Sequence, residues 1–117
     1  MNKNYTKEVS TELAQRLKEL GFPAIETIIP DYFGEVGDHI KIYPPTYANV
    51  FDWLIEKGIY IDIYACYMYV EFGVEHWVFG GDVASKGTNC STEEFRTWEE
   101  AAVSAIDMAL IILEEER

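Results

Sequence analysis

The chain has 117 residues, 49% of them hydrophobic and 26% charged, with 9 basic against 21 acidic side chains and a net charge of −12. A length and apolar content of this kind describe one globular domain that buries roughly two-thirds of its extended surface, which excludes wholesale disorder. No stretch reaches the roughly 18 uncharged apolar residues of a membrane span, and the acidic excess argues against direct binding to nucleic acid or to anionic membrane surfaces.

The first expected element is a helix from Thr6 to Leu20, because Val9, Leu13, Leu17 and Leu20 line one face. Gly21 caps it and Pro23 forbids continuation. Short strands are expected at Ala24 to Ile29, cut off by Pro30, and at His39 to Tyr43, ended by Pro44 and Pro45, with Gly34 and Gly37 marking a turn-rich excursion between them. Thr46 reads as the N-cap of a second helix running to Lys57, closed by Gly58, with Tyr47, Val50, Phe51 and Leu54 as its apolar stripe and Trp53 toward one flank.

The clearest β signal follows. Ile59, Ile61 and Ile63 alternate with Tyr60, Asp62 and Tyr64. From Cys66 to Phe72 apolar residues occupy both faces, so either the strand bends at a bulge near Ala65 or its second half is covered on both sides. Gly73 offers a turn, His76 to Phe79 a second strand ending at Gly80 and Gly81, Ala84 to Asn89 a loop, and Cys90 to Phe95 a short third strand. Thr97 and Glu100 form a capping-box pattern ahead of a last helix with an apolar face of Ala101, Ala102, Ala105, Ile106, Ala109, Leu110 and Leu113. Glu114, Glu115 and Glu116 oppose the negative end of that helix and should fray it. The expected fold is therefore α+β: an antiparallel sheet of three to four strands with helices packed on one face, in the order α-(β)-α-β-β-(β)-α, in a single domain over residues 1–117.

Chemistry is sparse. His39, Cys66, His76 and Cys90 lack paired metal-ligand spacing, so no metal or other cofactor is expected. No nucleophile elbow, phosphate loop, dinucleotide fingerprint or zincin motif occurs. Cys66 and His76 could meet across the expected hairpin, but Cys66 reads as a buried strand residue, where burial opposes the thiolate. Met1 to Tyr5 has no apolar core behind its lysine, and with no export signal the two cysteines are expected to stay reduced in the cytoplasm.

The aromatic content is the more informative feature. Tyr60, Tyr64, Tyr67, Tyr69, Phe72, Trp77 and Phe79 crowd one hairpin, and residues 58–85 carry no basic side chain. One layer of helices cannot cover alternating rings on both faces of a sheet. The expected binding residues are thus Tyr60, Asp62, Tyr64, Tyr67, Tyr69 and Trp77, used by a noncatalytic accessory protein to hold a protein partner or a second copy of itself. Two alternatives stand beside this. One is a small enzyme or ligand-binding domain with a sheet–helix pocket using Asp62, Cys66 or His76; the other is an acidic nucleic-acid mimic with carboxylates spaced like phosphates.

Three segments resemble small uncharacterised proteins carried by prophages and mobile elements of gut bacteria. They are the stretch from Ser10 to Phe22, Pro45-Thr-Tyr with the later Trp53-Leu-Ile-Glu-Lys-Gly-Ile59, and Phe95-Arg-Thr-Trp-Glu-Glu-Ala101 with Ala105, Ile106, Ala109 and Leu110 beyond it. The resemblance implies a bacterial, intracellular protein of mobile-element origin and carries over no site residues.

Overall fold

Ser10 begins the first helix, α1 (Thr11–Glu19): its side chain accepts a hydrogen bond from the Leu13 N–H. The amphipathic spacing carries the expected helix back to Thr6, but Lys3–Thr6 forms a separate 3-10 turn. Between the two, the Val9 N–H bonds to the Pro45 carbonyl and Glu8 bridges Thr46, so Val9 enters the core in extended chain. The computed structural model describes residues 3–29 and 39–115. Strands β1 (Ile25–Ile29) and β2 (His39–Tyr43) pair antiparallel in a two-stranded sheet of their own, Ile25 opposite Tyr43. Pro30, Gly34 and Gly37, expected to break and turn the chain there, lie outside the described residues.

Helix α2 (Tyr47–Glu56) starts where its cap chemistry places it. The Thr46 hydroxyl accepts from the Asn49 N–H, and the Asn49 side chain accepts from the Thr46 N–H. Trp53 is buried rather than flanking, with the Phe22 ring edge-on at 5.4 Å. Three antiparallel strands follow, β3 (Ile59–Glu71), β4 (Val74–Ser85) and β5 (Thr88–Ser91), in the spatial order β3-β4-β5. Both connections are two-residue turns with positive φ at each central residue, 52° and 77° at Phe72 and Gly73, 47° and 80° at Lys86 and Gly87. This is the type I′ pattern, whose twist matches that of the flanking strands.

Strand β4 overturns two expectations. It does not end at Gly80 and Gly81, and the loop expected from Ala84 to Asn89 shrinks to Lys86 and Gly87. The two glycines answer to packing instead. A Cβ on Gly81 would stand 2.7 Å from the Ile63 Cδ1 and 3.4 Å from the Ala105 Cβ, and one on Gly80 would stand 2.9 Å from the Cys66 Sγ. The short turn also sets β5 at Thr88–Ser91 rather than Cys90 to Phe95; Phe95 instead bridges Phe79.

Helix α3 (Trp98–Glu115) begins after Thr97, whose hydroxyl accepts from the Glu100 N–H at 3.1 Å and donates to its carboxylate at 2.9 Å. Its buried alanines let it lie close on the sheet at Gly81, and Ile106 and Leu110 join Leu17, Val50, Leu54, Ile59 and Val83 in the core. Glu114 does more than oppose the helix end. Arg16 of α1 reaches Asp107 at 2.7 Å and Glu114 at 3.5 Å, which ties two helices together. The result is an α+β fold with helices on one face of a three-stranded antiparallel sheet, as the pattern of elements implies.

Candidate functional site

From Ile59 to Ala65 the β3–β4 ladder is regular, Ile59 opposite Ser85 and Ala65 opposite Phe79. The register then shifts between Ala65 and Tyr67, leaving Cys66 as the extra residue, so the strand bends where the two-faced apolar run begins. Of the two readings of that run, the bend is right and the double cover is not. Past the bulge the hairpin is an arm with apolar side chains exposed on both faces. Its five rungs, Tyr67 opposite Val78 through Glu71 opposite Val74, span about 14 Å of ladder, or about 17 Å with the turn at Phe72.

One face carries a row of tyrosines. Tyr60 and Tyr64 are 57% and 38% exposed, and Asp62 lies between them, directly opposite Asp82. The Tyr64 ring lies over Gly80, in the space a side chain there would fill, and its hydroxyl donates to Asp82 at 3.1 Å. The Ser91 hydroxyl donates to the same carboxylate oxygen at 2.7 Å. The Tyr67 hydroxyl crosses β4 to donate to Glu94 at 3.1 Å, and Tyr69 stacks on its cross-strand neighbour His76 at 5.1 Å. Donation to a carboxylate favours the neutral phenol, so the hydrogen bond to Asp82 raises the Tyr64 pKa above its usual value and that to Glu94 does the same for Tyr67. These contacts fix the rings of Tyr64, Tyr67 and Tyr69 in place on the arm.

The opposite face holds Met68 across from Trp77 and Val70 across from Glu75. Trp77 therefore does not share a surface with Tyr60, Asp62, Tyr64, Tyr67 and Tyr69. At the tip Phe72 is 98% exposed while holding a φ of 52°, a left-handed conformation that costs a non-glycine residue free energy. Met68, Val70 and Val74 were not singled out from the sequence, and Phe72 was counted among the crowded rings but not among the expected binding residues. The signal was present in the Phe-Gly pair at the turn, where Asn-Gly is the low-strain choice.

The residues considered for catalysis are not assembled. Asp62, Cys66 and His76 sit at separate rungs, and His76 faces Tyr69 because the tight turn sets the register. Cys66 was expected to be buried; as the bulge residue it is exposed. A cavity of about 510 Å³ lies elsewhere, between α1 and the chain at Phe22 to Ala24 and Pro44 to Pro45, and contains none of the three. Among the described residues there is no group of three or more His, Cys, Asp or Glu able to hold a metal, and no helix long and apolar enough to cross a membrane. On α3, Glu99 accepts from Tyr47 while Asp107 and Glu114 pair with Arg16. Comparison of the chain with known protein families, with curated proteins and with solved structures finds no match in any of the three.

Proposed function

We propose that this chain is a noncatalytic accessory protein that holds a protein partner through the β3–β4 arm. The observation that carries this is Phe72: a large apolar residue, fully in solvent, kept at a backbone position where it is strained and packs nothing. Strain of this kind is retained where something outside the fold uses it. The surroundings agree, since eight of the ten large apolar side chains exposed among the described residues lie between Tyr60 and Trp77. Rings with a tethered polar tip suit an interface that is wet when free and dry when bound. We assign the cytoplasm as its compartment, where the free thiols of Cys66 and Cys90 are stable.

The test uses matched exposure. A photo-crosslinking phenylalanine analogue is placed in source cells at Phe72 or Trp77 and, as controls, at Ile55 or Ile111, which are 46% and 49% exposed against 48% for Trp77. Adducts with another protein are expected from the two arm positions alone. No adduct from the arm, or the same adducts from Ile55 and Ile111, overturns the proposal.

A further inference from the structure

The arm offers a free strand edge as well as two faces. Strand β3 is an outer strand of its sheet along its whole length, and among the described residues no strand pairs with its far side. The register shows which residues point their main-chain groups outward. Phe79 exchanges both main-chain bonds with Phe95, and the Gly81 carbonyl accepts from the Thr92 N–H, so both direct their groups away from β3. Their rung partners Ala65 and Ile63 must direct theirs away from β4. Beyond the bulge the tight turn closes on the Glu71–Val74 rung, so Tyr67, Tyr69 and Glu71 bond to β4 while Met68 and Val70 turn their N–H and C=O groups outward.

Natural sheets blunt such edges with Lys, Pro or bulges; β3 has no Lys or Pro, and its bulge at Cys66 lies ahead of the edge from Tyr67 to Glu71. The charge around the edge selects the occupant. Asp62, Glu71, Glu75 and Asp82 are the charged residues of segment 58–85, and the ion pairs of Lys7 and Arg16 go to Glu99, Asp107 and Glu114 instead. A second copy, also carrying −12, would add like charge to an acidic surface. A cationic segment would instead set Lys or Arg beside Glu71 and over the Tyr67 and Tyr69 rings.

We infer that the partner contributes an extended, basic peptide segment that adds as a further strand along the outer edge of β3 at Tyr67 to Glu71. This rests on the arm being the docking element and specifies how it docks. The probe is an acetylated, amidated heptapeptide alternating Lys and Val, compared with its Glu–Val counterpart and with a Lys–Val version N-methylated at alternate residues. With the Lys–Val peptide, slowed amide exchange at Met68 and Val70 is expected, weakening as salt is raised. N-methylation should remove that protection. Met68→Pro, which deletes an outward donor and no bond to β4, should weaken binding about tenfold, and Met68→Ala, which keeps that donor, should not; should the proline variant misfold, the N-methylated peptide puts the same question to the native chain. No protection of Met68 and Val70 at millimolar peptide, equal binding of the Glu–Val peptide, or protection arising from self-association of the chain overturns the inference. Arm crosslinks to a partner together with unprotected Met68 and Val70 amides would sink the strand-addition mode alone, whereas absent crosslinks would sink the docking role itself.

Discussion

Tyr47 shows how one side chain couples packing to pH. Its ring is buried against Trp98 at 5.4 Å, and its hydroxyl donates to Glu99 at 3.0 Å. Burial first, and then Glu99, lift its phenol well above the usual 10.0. The folded chain therefore keeps a proton that the unfolded chain releases. This contribution is whole below about pH 10 and is lost as pH rises from there toward the folded pKa. In urea melts wild type should be more stable than Tyr47→Phe by about 1 kcal/mol at neutral pH and should lose that advantage and fall below the variant as pH rises past about 10, because Phe has no proton to lose. Tyr64 and Tyr67 titrate in both proteins, so the difference isolates position 47, and parallel pH profiles would refute the assignment. Beside it, the Trp98 Nε1 is buried with no hydrogen-bond partner among the described residues. Trp98→Phe removes that orphaned donor along with some volume and should cost less than about 1.5 kcal/mol, whereas Trp98→Ala should cost about 3–5 kcal/mol in the same melts. Equal losses would mean that the indole N–H has a partner.

Helix α3 sits on the sheet through alanines against a glycine, and this contact can be tested as a unit. Gly81→Ala brings a Cβ onto the Ile63 Cδ1, which is confined beneath α3, and should destabilise by about 1–2 kcal/mol. Ile63→Val deletes that same methyl and alone should cost about 1 kcal/mol. The double variant should lose at least about 0.5 kcal/mol less than the sum, measured by chemical denaturation, and simple additivity would show that the two do not meet. The same contact explains what could be read ahead of the structure. Caps at Thr46 and Thr97 were legible because capping is settled within four residues, and Ile59 to Tyr64 because alternation is local. Gly80 and Gly81 misread as a strand end because their neighbours Cys66, Ile63 and Ala105 come from distant parts of the chain. Ser10 was hidden as a cap because Val9 extends the apolar spacing past it. The candidate site was half legible: composition marks the aromatic hairpin, but only the register separates Trp77 from the tyrosine row and pairs His76 with Tyr69 rather than Cys66.

The described part of the chain is more extended than its length requires, with a radius of gyration of 17.7 Å and extents of 59 × 43 × 23 Å, against roughly 13 Å for the radius of a compact domain of this size. The arm fits that shape, because its rungs past the bulge have no covering layer and a lone two-stranded ribbon is marginal in water. Stability and partner binding should therefore pull in opposite directions at the tip. Phe72→Asn keeps the type I′ turn, relieves the strained left-handed residue and removes an exposed ring, since Asn takes positive φ at lower cost. The variant should be more stable by about 1 kcal/mol, a melting temperature about 4 °C higher, with slower exchange at the Glu71, Val74, Tyr69 and His76 amides that bond across the arm. Crosslinking to a partner from Trp77, still wild type, should fall sharply. A variant that is destabilised would show that Phe72 packs within the fold, and one that is stabilised but crosslinks as before would show that the tip is strained without being used.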